Sequence, residues 1–388
     1  MVSNKSKTIT SADVVIIGGG VIGLTIARAL ALRGVKDVCL IERAGLGNEA
    51  SSAAAGMLAP QAEADSSDDF FGLACTSRDL YPNFAAALLE ETGIDIELDT
   101  TGTLYLALTE HDRTEIEKRH AWQVQAGLPV EKLTAEDARE LEPCINPYLH
   151  AALRFPLDTQ VENRRLLSAL ANSVAKLGVK IIVQTAVQSV GIRNDRVEVI
   201  NTARGSISCA KVVMAAGCWT NFINVSGVAT HRAPTWRIDP VRGQMVCFEA
   251  KPQVARHVIY SPRGYVVPRR DGRLLAGSTS EDAGFAKQIT GGGVSAILKN
   301  ALEISADVSA LTIVDSWAGL RPRSPDGLPV MGPCDEIAGL FYATGHYRNG
   351  ILLAPITGEL ITQAVLGEAV SPHLAPFTPD RFQLSGVS

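Results

Sequence analysis

Three glycines near the amino end have the spacing of a phosphate-binding turn. The pattern is Gly18-x-Gly20-x-x-Gly23, and it follows a short apolar run at 14–17 that is rich in β-branched residues. The first glycine permits a tight turn, the second lets the backbone approach a pyrophosphate, and the third lets a helix pack closely on a strand. The helix that follows offers free N–H groups and the positive end of its dipole to phosphate oxygens. The spacing favours a dinucleotide as ligand.

An acidic residue stands where a dinucleotide site needs one. Glu42 closes a second apolar run, Val38–Ile41, and lies nineteen residues beyond Gly23. At this distance a carboxylate can accept hydrogen bonds from the ribose of an adenosine. The order strand, turn, helix, strand and acid is that of a Rossmann-like unit. A glycine-rich turn that only packs is the alternative.

Two arginines near the carboxyl end are candidates for binding an anionic substrate. Arg321 lies in the segment 317–327, whose prolines and glycines predict a stiff loop. A guanidinium held in this way suits a carboxylate, whereas the alternative is an ordinary surface ion pair. Arg348 lies between a strand and a closing helix, whose N-terminus could stabilise negative charge on a ring system. The alternative there is a turn formed by Asn349 and Gly350.

Two more side chains could take part in a substrate site. A strand at 264–269 could direct the phenol of Tyr265 into a cavity, or simply half-bury it. His346 could act as a base, although a histidine in a turn is more often a hydrogen-bonded neighbour. The sequence shows no Ser-His-Asp order, metal-ligand cluster or catalytic carboxylate pair. We therefore expect a cofactor to carry the reaction.

The bulk composition excludes several classes of protein. With 388 residues the chain is too long for one ordinary core, which predicts two domains or one large domain with insertions. A net charge of −5 offers no basic surface for nucleic acid or an anionic membrane. The seven cysteines have no paired spacing, and residues 1–11 lack the apolar core of a secretory signal. We expect a soluble, cytoplasmic protein.

The elements that must position these residues follow an α/β pattern. Apolar strands and helices recur in three separated parts of the chain, so the nucleotide-binding domain is predicted to be discontinuous. The segment 233–316 is β-rich, with a hairpin turn at Asp271-Gly272. Helices are predicted over 70–91, 109–126, 133–142, 161–177, 291–304 and 354–366.

Several segments resemble the D-amino-acid oxidase superfamily of flavoproteins, and most closely its bacterial glycine oxidases of thiamine biosynthesis. The most specific are SSAAAGML at 51–58, GYVVPR at 264–269, WAGLRP with the following Asp-Gly at 317–327, and GHYRNGILLAP at 345–355. The resemblance runs along nearly the whole chain and implies an α/β fold. The implied domains are a Rossmann-like FAD-binding domain over 1–82, 151–225 and 318–388, and an α+β substrate-binding domain with a large antiparallel or mixed sheet over 83–150 and 226–317.

The resemblance also implies non-covalent FAD and a set of contacts to it. Glu42 would hold the adenosine ribose, the ring would lie beside 53–58, and the C-terminal helix would point at the pyrimidine edge of the flavin. No cysteine lies just ahead of the Asp-Gly pair at 326–327, the region where sarcosine oxidases of the superfamily tether their flavin. The implied cofactor-binding residues are Gly18, Gly20, Val21, Ile22, Gly23, Glu42, Arg43, Ser51, Ser52, Ala54, Ala55, Gly56, Met57, Val187, Ala216, Gly217, Trp219, Arg321, His346, Arg348, Asn349, Gly350 and Ile351.

The implied reaction is oxidative deamination of glycine and of small amines such as sarcosine and D-alanine. Arg321 would clamp the substrate carboxylate, Tyr265 would hydrogen-bond it, and Arg348 would line the same pocket. The α-hydride of the neutral amine would pass to flavin N5, and the imine would hydrolyse to the 2-oxo acid and ammonia or amine. O2 would re-oxidise the flavin and give H2O2. The resemblance further implies supply of the glycine imine to thiamine thiazole synthesis, and a homo-oligomer, often a tetramer.

Two departures from the family pattern leave the substrate open. Ser280 stands where a bulky methionine is usual, and Arg263 stands where a shorter polar residue is usual. Both could border the pocket and so admit a larger or differently charged amine. The alternative functions are a D-amino-acid dehydrogenase that passes electrons to a quinone or carrier, a flavin-binding subunit without catalysis, and an NAD-dependent dehydrogenase, which uses the same glycine fingerprint.

Overall fold

Two large β-sheets and the helices packed on them form the described part of the chain. The structure is a computed structural model and describes residues 10–227, 236–369 and 371–382. In chain order the helices are α1 (Val21–Leu32), α2 (Ala50–Ala53), α3 (Pro60–Glu63), α4 (Asp69–Thr92), α5 (Glu110–Gln125), α6 (Ala135–Leu141), α7 (Asn163–Lys176), α8 (Gly291–Ile304) and α9 (Ala354–Leu366). The strands are β1 (Ser11–Ile17), β2 (Val38–Ile41), β3 (Met57–Leu58), β4 (Thr103–Ala107), β5 (Glu131–Leu133), β6 (Ala151–Phe155), β7 (Thr159–Gln160), β8 (Lys180–Ile182), β9 (Val187–Arg193), β10 (Arg196–Thr202), β11 (Gly205–Met214), β12 (Asn224–Ser226), β13 (Asp239–Glu249), β14 (Val258–Ser261), β15 (Gly264–Pro268), β16 (Arg273–Gly277), β17 (Thr312–Arg323), β18 (Val330–Pro333) and β19 (Leu340–Thr344).

The first sheet has the parallel centre expected of a Rossmann-like unit. Its strands follow the order β12-β9-β10-β11-β1-β2-β8, and β19 adds to β11 in parallel. The helix α1 connects the parallel strands β1 and β2 and buries Leu24, Ile26 and Leu30 completely in the core. Because β1, β11 and β19 are parallel, the loops after them meet at one edge of the sheet. The glycine turn, the 215–219 loop and the 345–351 loop are thereby brought together.

The second sheet is mostly antiparallel and faces the cavity with three of its strands, β13, β15 and β17. Its order is β17-β13-β16-β15-β14-β4-β6-β5, with β14 and β4 as a parallel pair. The strands β14, β15 and β16 form an antiparallel meander, and β13 pairs with β16 on the far side. The predicted hairpin turn at Asp271-Gly272 joins β15 to β16, and Gly272 has φ +86° there. The helix α8 covers this sheet with buried Ile297, Ala301 and Ile304.

The observed helices confirm the helix predictions that were based on the periodicity of apolar residues. α8 and α9 begin and end at the predicted residues. The short helix α6 has a capping box, in which the Thr134 hydroxyl accepts the Asp137 N–H at 3.1 Å and the Asp137 carboxylate reaches back to Thr134. Within the described ranges, no helix is both long enough and apolar enough to cross a bilayer.

The prediction of a stiff loop around Arg321 was wrong. Arg321 lies in the long edge strand β17, which pairs antiparallel with β13 and places Val241 opposite Arg321. Pro322 lies opposite Pro240, so neither residue has an N–H to contribute at this point of the ladder. Prolines and glycines are tolerated here because an edge strand has a partner on one side only.

Two strands near the predicted domain boundaries belong to the second sheet. β6 pairs with β4 and β5, although the FAD-binding domain was predicted to resume at residue 151. β17 is continuous across the predicted boundary at 317/318. The division into two domains stays a prediction, and sheet membership favours moving these two boundaries to the carboxyl ends of β6 and β17.

Candidate active site

A cavity of about 410 Å³ is lined by residues of both large sheets. The loops after β1, β11 and β19 form one side, which is where open α/β sheets bind ligands. Tyr265 on β15 and Arg321 on β17 contribute from the second sheet. The predicted site residues that line this cavity are Gly18, Gly20, Val21, Ile22, Glu42, Arg43, Ser51, Ala54, Ala55, Gly56, Met57, Val187, Ala216, Gly217, Trp219, Tyr265, Arg321, His346, Arg348, Asn349, Gly350 and Ile351.

Two predicted cofactor contacts lie outside the cavity wall. A Cβ atom on Gly23 would come within 1.9 Å of the Gly18 carbonyl oxygen, so Gly23 serves the close packing of α1 on the turn. The Ser52 hydroxyl donates to the Glu49 carbonyl oxygen at 3.1 Å, and the Ser52 carbonyl accepts from Asn163. The structure thus places Ser52 among protein contacts and not in the wall.

The glycine turn fits a pyrophosphate. Gly18 has φ +112°, and a Cβ atom there would lie 2.4 Å from the Ala215 carbonyl oxygen, so only glycine is accommodated. Gly20 caps α1 without a side chain, and the Ser51 hydroxyl accepts the Val21 N–H at 3.0 Å. The remaining amides of the first turn have no acceptor within the helix and lie at its positive end. Phosphate oxygens are the acceptors that such a terminus binds.

The end of β2 fits an adenosine. Glu42 accepts the Gly19 N–H and the Ala44 N–H, each at 2.8 Å and each through a different carboxylate oxygen. Both oxygens retain lone pairs that ribose hydroxyls can use. Next to it, the Arg43 guanidinium carbon lies 3.8 Å from the centroid of the Trp219 ring. This cation–π contact joins the loop after β11 to the loop after β2.

Arg321 presents a cation from the second sheet. It donates to the Thr279 carbonyl oxygen at 3.0 Å and to the Ser278 hydroxyl at 2.7 Å. A Cβ atom on Gly243 would lie 2.3 Å from a guanidinium nitrogen, so a glycine on β13 makes room for Arg321. Across the described ranges Arg321 forms no ion pair with a carboxylate. A guanidinium has five N–H groups, so several remain for an anion.

Arg348 presents a second cation from the opposite side. Its side chain forms no hydrogen bond or ion pair with any residue that the structure describes. The loop that carries it leads into α9, and Gly350 and Ile351 line the cavity before that helix begins. The N-terminus of α9 therefore adds partial positive charge to a wall that already contains the guanidinium groups of Arg43, Arg321 and Arg348.

Glu63, on the one-turn helix α3, is a cavity residue that sequence reasoning missed. The Tyr260 hydroxyl donates to its carboxylate at 3.1 Å, and burial raises the pKa of Tyr260 well above its ordinary value. No motif marks position 63. Gly243 was also missed, although a glycine within a strand signals the close approach of another group.

Tyr265 has an available hydroxyl group. The side chain is 6% exposed, and its hydroxyl contacts the Met245 sulfur at 3.4 Å. A thioether is a weak acceptor, so this contact satisfies the phenol poorly. Tyr265 lines the cavity, so of the two alternatives given for it from the sequence, the structure favours a phenol directed into a cavity over a half-buried strand residue.

His346 is a buried, neutral residue. Its Nε2 atom lies 3.1 Å from the Thr357 hydroxyl, and burial lowers the pKa of the imidazole to about 3. A group with so low a pKa is a poor general base near neutral pH. The geometry favours the hydrogen-bonded neighbour over the base.

Replacing His346 by glutamine is expected to make stability less dependent on pH. The folded pKa lies below the unfolded value, so the stabilisation is present above pH 6.5 and is lost as the pH falls toward 3. Between pH 7 and pH 5 the parent should lose about 2 kcal/mol more than His346→Gln. Urea unfolding of both proteins at the two pH values measures this. An identical pH dependence would show that the imidazole is not buried as described.

A second cavity, of about 790 Å³, adjoins the first. Arg263 lines it, but Asp112 and Glu303 accept hydrogen bonds from its guanidinium at 3.0 and 2.7 Å, so its charge is compensated. Ser280 lines neither cavity, so the expectation that it borders the pocket was wrong. The residues shared by the two cavities are Glu63, Tyr265, Arg348 and Asn349.

Comparisons with known proteins agree with this geometry. A profile of the family described as FAD dependent oxidoreductase matches residues 13–364. The glycine oxidase of Geobacillus kaustophilus (strain HTA426) is 37% identical over 95% of this chain and 97% of its own, and a bifunctional protein ThiO/ThiG of Synechocystis sp. is 35% identical over 96% of this chain and 54% of its own. The crystal structure of glycine oxidase from Geobacillus kaustophilus superposes with a TM-score of 0.90 at 36% identity, covering 96% of this chain and 99% of that one. The chain therefore belongs to the family of FAD dependent oxidoreductases and is an enzyme whose cofactor is FAD.

Proposed function

We propose that this protein oxidises glycine and small amines such as sarcosine and D-alanine, with O2 as the electron acceptor. The observation that carries the proposal is the pair of guanidinium groups, Arg321 and Arg348, in the wall of the cavity that contains the dinucleotide turn. Neither forms an ion pair with a carboxylate of the described residues, although Glu63 in the same wall stabilises the charge of Arg348 from a longer distance. A partly buried guanidinium group that forms no ion pair within the protein favours the binding of an anionic ligand. The similarity to glycine oxidases supports a substrate carboxylate in that role.

The contribution of the chain is to bind and orient the substrate. Arg321 binds the carboxylate through N–H groups that Thr279 and Ser278 leave free, and Tyr265 adds a hydrogen bond from its hydroxyl. A substrate held at its carboxylate has few orientations left for its amine and α-carbon. Translational and rotational entropy is therefore lost when the substrate binds, and less has to be lost in the chemical step than between free partners.

The carboxylates in the described wall, Glu42, Glu49 and Glu63, each accept hydrogen bonds from the protein, and oxidation of a neutral amine needs none of them as a strong base. Bound FAD would supply the redox chemistry, which is a two-electron oxidation of the amine to the imine coupled to reduction of O2 to H2O2. The neutral His346 is hydrogen-bonded to Thr357 and is not required to move a proton. The imine then hydrolyses in water to the 2-oxo acid and ammonia or amine.

The test is an amine screen with two readouts. Purified holoenzyme is supplied with glycine, sarcosine and D-alanine while O2 consumption and H2O2 are measured. Stoichiometric O2 loss and peroxide formation are expected. Turnover that occurs only with an artificial dye would favour the D-amino-acid dehydrogenase, and flavin without any turnover would favour a non-catalytic subunit.

The biological setting is a further part of the proposal. We propose that the glycine imine feeds the synthesis of the thiamine thiazole in the cytoplasm and that the chain forms a homo-oligomer, a tetramer by resemblance. The similarity to about half of a bifunctional protein ThiO/ThiG supports the first point. Light scattering of the purified protein would distinguish a tetramer from a monomer.

A further inference from the structure

A buried arginine outside both cavities connects the two sides of the first cavity's wall. Arg269 directly follows β15, the strand that carries Tyr265, and it is 3% exposed. Its guanidinium reaches across to the segments next to the other sheet. The acceptors there are the carbonyl oxygens of Ala55 at 2.6 Å and Val161 at 2.9 Å, the Gln160 side-chain oxygen at 3.1 Å and the Asn163 side-chain oxygen at 3.4 Å.

The segment that Arg269 contacts is part of the cavity wall. Ala55, Gly56 and Met57 all line the cavity, and Met57 pairs with Gln160 in the small sheet formed by β3 and β7. The Val161 N–H donates to the Gly56 carbonyl oxygen at 2.9 Å. A Cβ atom on Gly56 would lie 2.0 Å from the Val161 carbonyl oxygen, so the backbones are already in close contact. Ala55 and Met57 also pack against side chains of the second sheet, and Arg269 adds hydrogen bonds from that sheet to the backbone of this pair.

The charge of Arg269 is unusual for a purely packing residue. Burial lowers the pKa of Arg269 to about 10, so the side chain is still charged at neutral pH. No carboxylate of the described ranges forms an ion pair with it, and its Nε atom has no hydrogen-bond partner there. Glu162 stabilises the charge only from beyond ion-pair distance. Burying a charge without an adjacent counterion is costly, and an apolar residue of similar volume is often the more stable choice for packing. The hydrogen bonds that Arg269 donates to the cavity wall offset part of the cost of burying its charge.

We propose that Arg269 is a positioning residue for FAD, which fixes the segment 54–57 relative to the strand that carries Tyr265. The inference rests on this cavity being the FAD site, but not on the identity of the amine. Without the guanidinium, the Ala55 and Val161 carbonyls lose their shared donor. The segment 54–57 is then held to the second sheet by apolar packing of Ala55 and Met57 beside Tyr265, which fixes its position less closely than directional hydrogen bonds do. FAD affinity and the optical environment of the flavin should then change.

The test compares Arg269→Lys and Arg269→Met with a matched control. Lysine keeps the charge but loses the planar fork, whereas methionine loses both. The dissociation constant for FAD is expected to rise by about tenfold to a hundredfold in Arg269→Met, as for the loss of charged hydrogen bonds. The visible flavin band should change shape in both variants. Arg270→Met is the control, because Arg270 is exposed and contacts Asp95 at 3.0 Å; it should bind FAD as the parent does.

The outcomes separate positioning from simple stability. A lower melting temperature of the apoprotein with unchanged FAD affinity and spectrum would overturn the proposal, as would parental FAD binding in both Arg269 variants. If Arg269→Met does not fold, Gln160→Leu removes one acceptor and should weaken FAD binding in the same direction by a smaller factor. None of these readouts requires turnover, so an error in the proposed amine substrate would not alter them.

Discussion

Replacing Arg321 by methionine is expected to raise the KM for glycine by about tenfold to a hundredfold, which corresponds to the loss of roughly 1.5–3 kcal/mol for a hydrogen bond to a charged group. The guanidinium lines the cavity from β17 and has no carboxylate partner among the described residues. Since the carboxylate is held before and during the reaction alike, kcat should change less than KM. FAD should remain bound. Steady-state kinetics and the absorbance of the purified protein check both points.

The same strand supplies a matched control. Arg323 lies two residues further along β17, outside both cavities, and contacts the exposed Asp282 at 2.9 Å. An exposed ion pair contributes little, so Arg323→Met should retain the parental KM. An unchanged KM in Arg321→Met would remove the carboxylate-binding role from Arg321. An equal rise in both variants would point to damage along β17 instead.

Replacing Gly23 by alanine is expected to weaken FAD binding at least about tenfold and to lower the melting temperature. The new Cβ atom would lie 1.9 Å from the Gly18 carbonyl oxygen, and this oxygen belongs to the backbone. The helix α1 must therefore move away from the turn, at a typical overpacking cost of about 1–3 kcal/mol. Its first-turn amides would move with it, away from the phosphates. FAD titration and thermal unfolding with and without FAD measure the two effects.

Gly72 offers the comparison for this substitution. It lies in α4, and a Cβ atom there would have nothing within 4 Å. Gly72→Ala should leave FAD affinity unchanged and stabilise the protein by up to about 1 kcal/mol, because alanine favours a helix. Parental FAD affinity in Gly23→Ala would show that close packing of α1 on the turn is not needed for the cofactor.

Local patterns predicted much of the fold. The bounds of α8 and α9 follow from short-range preferences, which act within a few residues of the chain. The prediction of a loop at Arg321 was wrong because such local preferences do not include pairing with a distant strand. Prolines and glycines end isolated elements, but the antiparallel partner β13 lies about eighty residues away and outweighs them.

The sequence by itself determined the dinucleotide turn, the acid at the end of β2 and the residue types able to bind a carboxylate, because each depends on residues close together in the chain. Only the tertiary structure decided which of these residues share a cavity. It placed Glu63 in the wall, Ser52 outside it and counterions beside Arg263, and it directed Arg269 toward the Ala55 carbonyl. Burial and hydrogen-bond partners depend on contacts between distant segments, and a linear pattern does not contain those contacts.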